Sequence, residues 1–536
     1  MSPFASMTGS TRPTHLKCAA VRDAVRDAVR AALVMAVAAL SLVRPAAAIP
    51  PDRGDLARGY QRFDALAVRA AADPATRRAL NLGFDGLTAD FFAGRYGRAL
   101  AELARIEAEH ARLDDRARAG LAFLAAHRFE VSPSIVDLAG IAPATVRIRA
   151  VPLDGAAPAG GLDEAPGTIV VSCGDFRAEL AFGDEMSVVP GDGARPGPLL
   201  VHAVVPGIGP CEVARAWAMQ GSIATRVEAL RARAAALDLA AFTPSVKASL
   251  DGRIALLPAA TVDRTRSATL LCDVPRLLAE LDTELDALAR GSNPYARAGD
   301  LWRVYRALGV DLPTRQFVPE GAGPFPLVVA FHGAGGDENM FFDGYGAGML
   351  RALARERGVA VVCPPTVPFG LSPALFDRFI DEVSKDMPVD RGRVLLLGHS
   401  MGAITASRLA GLRPDAIAGA ACIAGFLDAS RGGASAPRAV YLGALDPIFA
   451  IGPVREQVRA ATRVGSPIEL VEFEHEGHTL VVDRALPQAF EWLLARPARS
   501  TDTTKPTISA PSTRPMNTGV PAPAAIETSP SAGPRK

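Results

Sequence analysis

Charge of one sign is what this chain most lacks: 58 Lys and Arg stand against 57 Asp and Glu, a net charge of +1. That balance gives no electrostatic reason to expect a nucleic-acid or acidic partner. Lysine itself is scarce, five residues in all, and the arginines are scattered among Asp and Glu rather than clustered. Cysteine is scarce too. Beyond the N-terminal leader only Cys173, Cys211, Cys272, Cys363 and Cys422 remain. So odd and sparse a set describes no disulfide framework, and no Cys-x-x-Cys pair suggests zinc. Cys363 and Cys422 sit in apolar strands and read as core; Cys173 with Cys211 is the pair that could bridge in an oxidising compartment. A membrane-spanning run is also missing, since the apolar stretch over 31–43 is well short of the roughly 20 residues a span needs.

That stretch belongs instead to a leader. Arg12, Lys17, Arg22, Arg26 and Arg30 precede it, and Ala46-Ala47-Ala48 supplies the small residues of a cleavage site. Residues 1–48 therefore read as a signal peptide cut near Ala48, with export to the periplasm or beyond and no membrane span in the mature chain. An uncleaved amphipathic helix over 21–30 is the competing reading, and Met7 is an alternative start.

With 536 residues, 49% of them hydrophobic, the chain has enough for several cores. Residues 49–130 have helical spacing, as in Leu100, Leu103, Ile106 and Leu113. No second copy at a fixed period makes them a repeat array. Over 143–218 the pattern changes to short alternating strands at 146–151, 168–172, 177–182 and 199–205, which predict a small β-sandwich-like module. Residues 221–311 return to helix, where Trp302 and Tyr305 would share a face as core. From 312 to 497 apolar strands alternate with helices. Strands are expected at 327–331, 359–363, 394–397, 419–423, 440–442 and 468–473, nearly continuously apolar, as in a mostly parallel sheet covered on both faces. The tail, 498–536, is rich in Ser, Thr, Pro and Ala and has too little apolar content to fold.

The most informative stretch is Gly-His-Ser-Met-Gly at 398–402, directly after the apolar strand at 394–397 and before a helix-compatible segment stopped by Gly411 and Pro414. A strand that turns sharply into a helix presents a serine hydroxyl at the sheet's carboxyl end, and small residues on both sides permit the turn. Ser400 is thus the candidate nucleophile. A hydroxyl of ordinary pKa needs a general base held by a third group. Downstream, Asp446 ends one strand at a Gly-x-x-Asp-Pro turn and His478 follows the last strand. They are the expected acid and base. His475 lies nearer the strand and is the alternative base. Asp381, Asp386 and Glu474 are alternative acids, each reading more naturally as a solvated surface carboxylate.

These motifs resemble the α/β-hydrolase superfamily, specifically its compact carboxylesterase branches: phospholipase/carboxylesterase, dienelactone-hydrolase-like, and feruloyl-esterase or polyhydroxyalkanoate-depolymerase-like enzymes. The resemblance rests on His332-Gly333-Ala334-Gly335-Gly336, the Gly398–Gly402 pentapeptide, Asp446-Pro447 and Gly477-His478 in that order. It covers about a third of the chain and leaves 49–311 unaddressed. It implies an α/β fold with a catalytic triad, backbone oxyanion donors at Ala334 and Met401, and His332 as a structural member of its turn. No metal or organic cofactor is implied.

No long lid insertion separates the motifs, which argues against an interfacial lipase and for a short or water-soluble acyl group. The expected function is a secreted serine esterase acting on a small-molecule or polymer ester. A prolyl-oligopeptidase-like peptidase is a second reading, though helices and one β-module do not make the propeller such enzymes carry. A non-catalytic binding protein on the same fold is a third. The sequence does not speak to oligomeric state.

Overall fold

The computed structural model describes residues 48–70, 73–140, 144–156, 167–183, 185–258, 263–428 and 435–499. The leader expected over 1–48 and the tail over 498–536 fall outside the described residues, except at their inner ends.

Five helices come first: α1 (Arg53–Arg69), α2 (Pro74–Gly86), α3 (Thr88–Phe92), α4 (Tyr96–His110) and α5 (Asp115–Ala126). Their starts follow from local sequence. Asp52 accepts from the N–H groups of Gly54 and Asp55, while the Asp55 carboxylate accepts from the Asp52 N–H, a capping box. Asp73 caps α2, and Pro74 opens it at a position where a missing N–H costs nothing. Phe63, Leu80, Leu103 and Ile106 form the core of this bundle together with Leu480, from the far end of the chain.

Two sheets follow. The first consists of β1 (His127–Ser132), β3 (Val146–Pro152) and β6 (Glu185–Val188), with β3 central. The second has β2 (Ile135–Asp137), β8 (Gly209–Met219), β7 (Gly197–Val205), β4 (Thr168–Cys173) and β5 (Phe176–Ala181) side by side in that order. Their inward residues, Phe129, Ile148, Val171 and Val201 among them, share one core. Cys173 and Cys211 do not bridge; both are free thiols. Strand β7 lies between their strands, and two strand spacings, about 9–10 Å, exceed the reach of a disulfide.

Helices α6 (Ile223–Ala235), α7 (Pro244–Ile254), α8 (Ser267–Leu270) and α9 (Val274–Ala289) come next. The expectation of helix through to 311 fails. Gly299–Ala307 is strand β9 and pairs antiparallel with β10 (Val310–Val318). The hairpin turns at Leu308 and Gly309, whose φ values of 50° and 78° suit a primed two-residue turn. Residues three apart on a strand face opposite ways. Trp302 accordingly packs in the core with α7 and α9, and Tyr305 in the core of the sheet that follows, so the two share no face.

That sheet has eight strands and begins at 299 rather than 312. To β9 and β10 it adds β11 (Phe325–Phe331), β12 (Ala360–Cys363), β13 (Val389–His399), β14 (Gly419–Ile423), β15 (Arg438–Gly443) and β16 (Ile468–Phe473). Their spatial order is β16-β15-β14-β13-β11-β12-β10-β9. From β12 across to β16 every pairing is parallel, while β10 runs antiparallel to both its neighbours. Val329 and Leu396 face α11 (Thr366–Leu371), α12 (Pro373–Asp386), α13 (Met401–Leu412) and α14 (Ile451–Arg463). Val328 and Leu395 face α10 (Met349–Arg357) and α15 (Val481–Leu494). Burial on both faces explains the near-continuous apolar runs. After β11 the chain places its next strand on one side and the following one, β13, on the other. A crevice opens at the carboxyl ends of strands where the winding reverses in this way.

Candidate active site

Ser400 stands in that crevice, between β13 and α13, with φ 55° and ψ −117°. A conformation so strained for a side-chain-bearing residue persists only where its surroundings dictate it. Here they do. A Cβ at Gly398 would lie 2.2 Å from the Gly402 carbonyl oxygen, and one at Gly402 only 1.9 Å from that of Phe331. The Ser400 N–H donates to the Ile423 carbonyl at the end of β14 (2.9 Å).

The loop after β16 brings His478 to this hydroxyl. Its Nε2 is 2.9 Å from Ser400 Oγ, and its Nδ1 is 2.9 Å from Asp446 Oδ2. Asp446 Oδ1 accepts the N–H groups of Ile448 and Phe449, both at 2.8 Å, which fixes the carboxylate and leaves Oδ2 to the imidazole. A carboxylate at Nδ1 holds the proton there, so Nε2 is the atom available to accept the serine proton. The three residues expected to act together are thus brought together, nearly shielded from water: Asp446 and His478 are each 5% exposed.

Ala334 lies in the turn after β11, and Met401 is the first residue of α13, where an N–H has no acceptor within its helix. His332 is committed elsewhere. Its Nδ1–H donates to the Gly333 carbonyl (2.8 Å) and its Nε2 accepts from the Thr366 N–H (3.3 Å), while burial lowers its pKa and keeps it neutral. It is His478 and not His475 that hydrogen-bonds Ser400 Oγ, and His475 Nδ1 is buried without a hydrogen-bond partner. Asp381 pairs with Arg378 and Arg391 at the surface, and Glu474 is exposed. Asp386 is not the solvated carboxylate its sequence suggests: it is buried against Arg303 at 2.7 Å.

Other residues at the site carry no sequence signal. His399, beside the serine, links the turn after β11 to His478. The Gly333 N–H donates to Tyr345 Oη (3.3 Å), Tyr345 donates to His399 Nδ1 (2.7 Å), and His399 Nε2–H donates to the His478 carbonyl (3.0 Å). Burial, and then the neighbouring His478, push the His399 pKa down to about 3, so it serves as a neutral link. From the N-terminal bundle, Arg77, Asn81 and Asp85 of α2 reach the loop that carries His478, and Phe91 covers Gly335. Arg53 donates to the Gly335 carbonyl (3.2 Å) and pairs with Asp337 (3.0 Å). A polar residue every fourth position reads in sequence as a solvated helix face. Yet Arg77 is 2%, Asn81 0% and Asp85 8% exposed. Only the partner surface distinguishes the two cases.

Among the described residues no group of three or more His, Cys, Asp or Glu is placed to hold a metal ion, and no helix is long and apolar enough to cross a membrane.

Comparison with known proteins is consistent in its location. Residues 327–530 match the model of the alpha/beta hydrolase family. No curated protein matches the chain. Among solved structures, S-formylglutathione hydrolase from Staphylococcus aureus is 15% identical, with 37% of this chain and 98% of that one covered and a TM-score of 0.32. The feruloyl esterase module from Clostridium thermocellum is 12% identical over 38% and 93%, with a TM-score of 0.30. Thermogutta terrifontis esterase 2 is 14% identical over 36% and 91%, with a TM-score of 0.29. The stretch matched by the alpha/beta hydrolase family model carries Ser400, Asp446 and His478.

Proposed function

We propose that this chain is an exported serine esterase that hydrolyses carboxylic esters through an acyl-enzyme intermediate. The observation that carries the reading is the hydrogen-bonded line from Ser400 Oγ through the His478 imidazole to Asp446, both links 2.9 Å, on a serine in a strained elbow. His478 Nε2 takes the serine proton as Oγ attacks the ester carbonyl. Charge develops on the carbonyl oxygen, where the N–H groups of Ala334 and Met401 receive it. The imidazolium, held by Asp446, then protonates the departing alkoxide. Water repeats the sequence on the acyl group, and the acid is released with Ser400 restored.

The small span between motifs and the absence of a long lid favour a short or water-soluble acyl group. The Phe449 ring lies parallel to the His478 imidazole, at 5.9 Å between centroids, and walls the site on the acid side. Ile448 beside it is 45% exposed and is available to an apolar part of the substrate.

The test is a p-nitrophenyl ester series alongside amino-acyl amides, with labelling by a fluorophosphonate probe. Ester turnover and labelling should both vanish in Ser400→Ala, a loss of at least about 10⁴-fold in kcat. Ester hydrolysis that survives the substitution would overturn the reading. Faster turnover of amides than of esters would make the enzyme a peptidase, and the absence of both labelling and turnover of either series would leave a non-catalytic role.

A further inference from the structure

We propose that helix α2, outside the hydrolase fold, is a working part of the active site, and that Asp85 is a positioning residue that fixes the backbone of His478. The inference rests on the triad reading above and goes beyond it, because nothing in an α/β-hydrolase sheet requires a helix from nearly 400 residues upstream.

The contacts are to the backbone of the histidine loop, almost residue by residue. Asn81 Nδ2 donates to the His475 carbonyl (3.1 Å), and Asn81 Oδ1 accepts the Gly477 N–H (2.7 Å). Asp85 Oδ2 accepts the His478 N–H (2.8 Å), and Arg77 Nη2 donates to the Leu480 carbonyl (2.6 Å). Three side chains at four-residue spacing lie along one line of a helix, and here that line is laid along residues 475–480. Gly477 is the residue that lets them in. A Cβ there would stand 1.9 Å from Asp85 Oδ2 and 3.1 Å from Asn81 Oδ1. Its φ is not positive, so close approach, not backbone conformation, is what requires glycine.

The consequence concerns the imidazole. Once Nδ1 is bound to Asp446, the position of Nε2 relative to Ser400 depends on where the His478 backbone sits. That backbone is held on one side by His399, through the carbonyl, and on the other by Asp85, through the N–H. Displacement of a reacting group by about 1 Å can cost roughly 100-fold in rate. Asp85 also brings charge. His478 and Asp446 face it across the loop; Arg77, Glu476 and Asp483 pair among themselves farther along the same interface. Burial pushes its carboxyl up to about 6, and the N–H groups of His478 and Thr479 and the His478 ring pull the other way. Its second oxygen, Oδ1, is buried without a hydrogen-bond partner, so the carboxylate is not there to satisfy its own helix.

The experiment compares full-length Asp85→Ala and Asp85→Asn with the parent on p-nitrophenyl acetate, measuring kcat, KM and the pH profile alongside thermal unfolding. Asp85→Ala removes the acceptor, and kcat should fall roughly 10- to 100-fold with KM nearly unchanged. Asp85→Asn keeps an acceptor oxygen and should return kcat to within about threefold of the parent, as a positioning role requires. It also removes a negative charge that favours the imidazolium, so the acid limb of kcat/KM should move down by roughly half a pH unit. Parent-like kcat in Asp85→Ala overturns the proposal. So does Asp85→Asn as slow as Asp85→Ala. If Asp85→Ala does not fold, the Asn variant decides by its acid limb, and an unmoved limb counts against. Activity retained in Ser400→Ala would instead defeat the triad reading; a dead Ser400→Ala with parent-like Asp85 variants defeats this inference alone.

Discussion

The proposed nucleophile and the proposed base of this site are held in opposite ways. Ser400 is fixed by its own neighbourhood: a strand before it, a helix after it, its N–H on the Ile423 carbonyl, and backbone atoms of Phe331 and Gly402 packed so closely that no side chain fits at 398 or 402. His478 sits on a loop between β16 and α15, and its backbone partners come from elsewhere, His399 from β13 and Asp85 from α2. The elbow is a property of the hydrolase fold. The histidine loop is a property of the whole chain. A hydrolase sheet expressed without the N-terminal bundle would keep the first and lose half of the supports of the second.

Breaking the elbow should have the larger effect. In Gly402→Ala the new methyl would stand 1.9 Å from the Phe331 carbonyl oxygen and 2.9 Å from that of His332, both backbone atoms that cannot rotate away. The end of β11 and the turn holding Ala334 must shift, and kcat on p-nitrophenyl esters should drop by roughly 100-fold or more. A parent-like rate would show that the elbow tolerates the strain.

Breaking the loop from the N-terminal side should cost stability as well as rate. Arg77 is buried between Glu476, at 2.9 Å, and Asp483, and it also donates to the carbonyls of Ala67 and Leu480. Arg77→Met leaves two buried carboxylates without their cation, a change of about 3–5 kcal/mol when one partner of a buried pair is removed. Urea unfolding followed by circular dichroism measures it. A loss below about 1 kcal/mol would mean that Arg77 is an ordinary surface-type pair despite its burial.

The same contrast explains what could be read from sequence. The apolar strands and the strand-turn-helix at Ser400 depend on residues close together along the chain, and they are legible with a local rule. Hairpin β9–β10 was missed because Trp302 and Tyr305 at a spacing of three fit a helix as well as they fit opposite faces of a strand. The Leu308-Gly309 turn was the available signal. Asp386 was misjudged because its partner Arg303 lies 83 positions away. Arg77, Asn81 and Asp85 are the extreme case. Their partners lie nearly 400 residues downstream, and a buried polar stripe has the same spacing as a solvated one. Local pattern carries no term for a surface contributed by another part of the fold.

The smallest effect sharpens the comparison at its second point of contact. Asp64 on α1 accepts the Ala347 N–H (3.0 Å), bracing the segment that carries Tyr345 and, through it, His399. Burial, with Asp483 nearby, raises the Asp64 carboxyl from 3.8 to about 6. A carboxyl whose pKa is higher in the folded than in the unfolded state contributes most stability below the unfolded value and loses it as pH rises through the folded one. Asp64 therefore supports the fold near pH 4 and burdens it above about 6. Asp64→Asn, which resembles the protonated acid, should have its most favourable effect at high pH. The Tm of the variant relative to the parent should rise between pH 5 and pH 7.5, by roughly 2 °C, as expected for about 1–2 kcal/mol in a chain of this size. The buried His332 and His399, held neutral, push in the opposite direction over the same range, but they are present in both proteins and cancel in the difference. A difference that stays flat with pH would mean that Asp64 is not charged at this junction, and that α1 braces the Tyr345 segment by geometry alone.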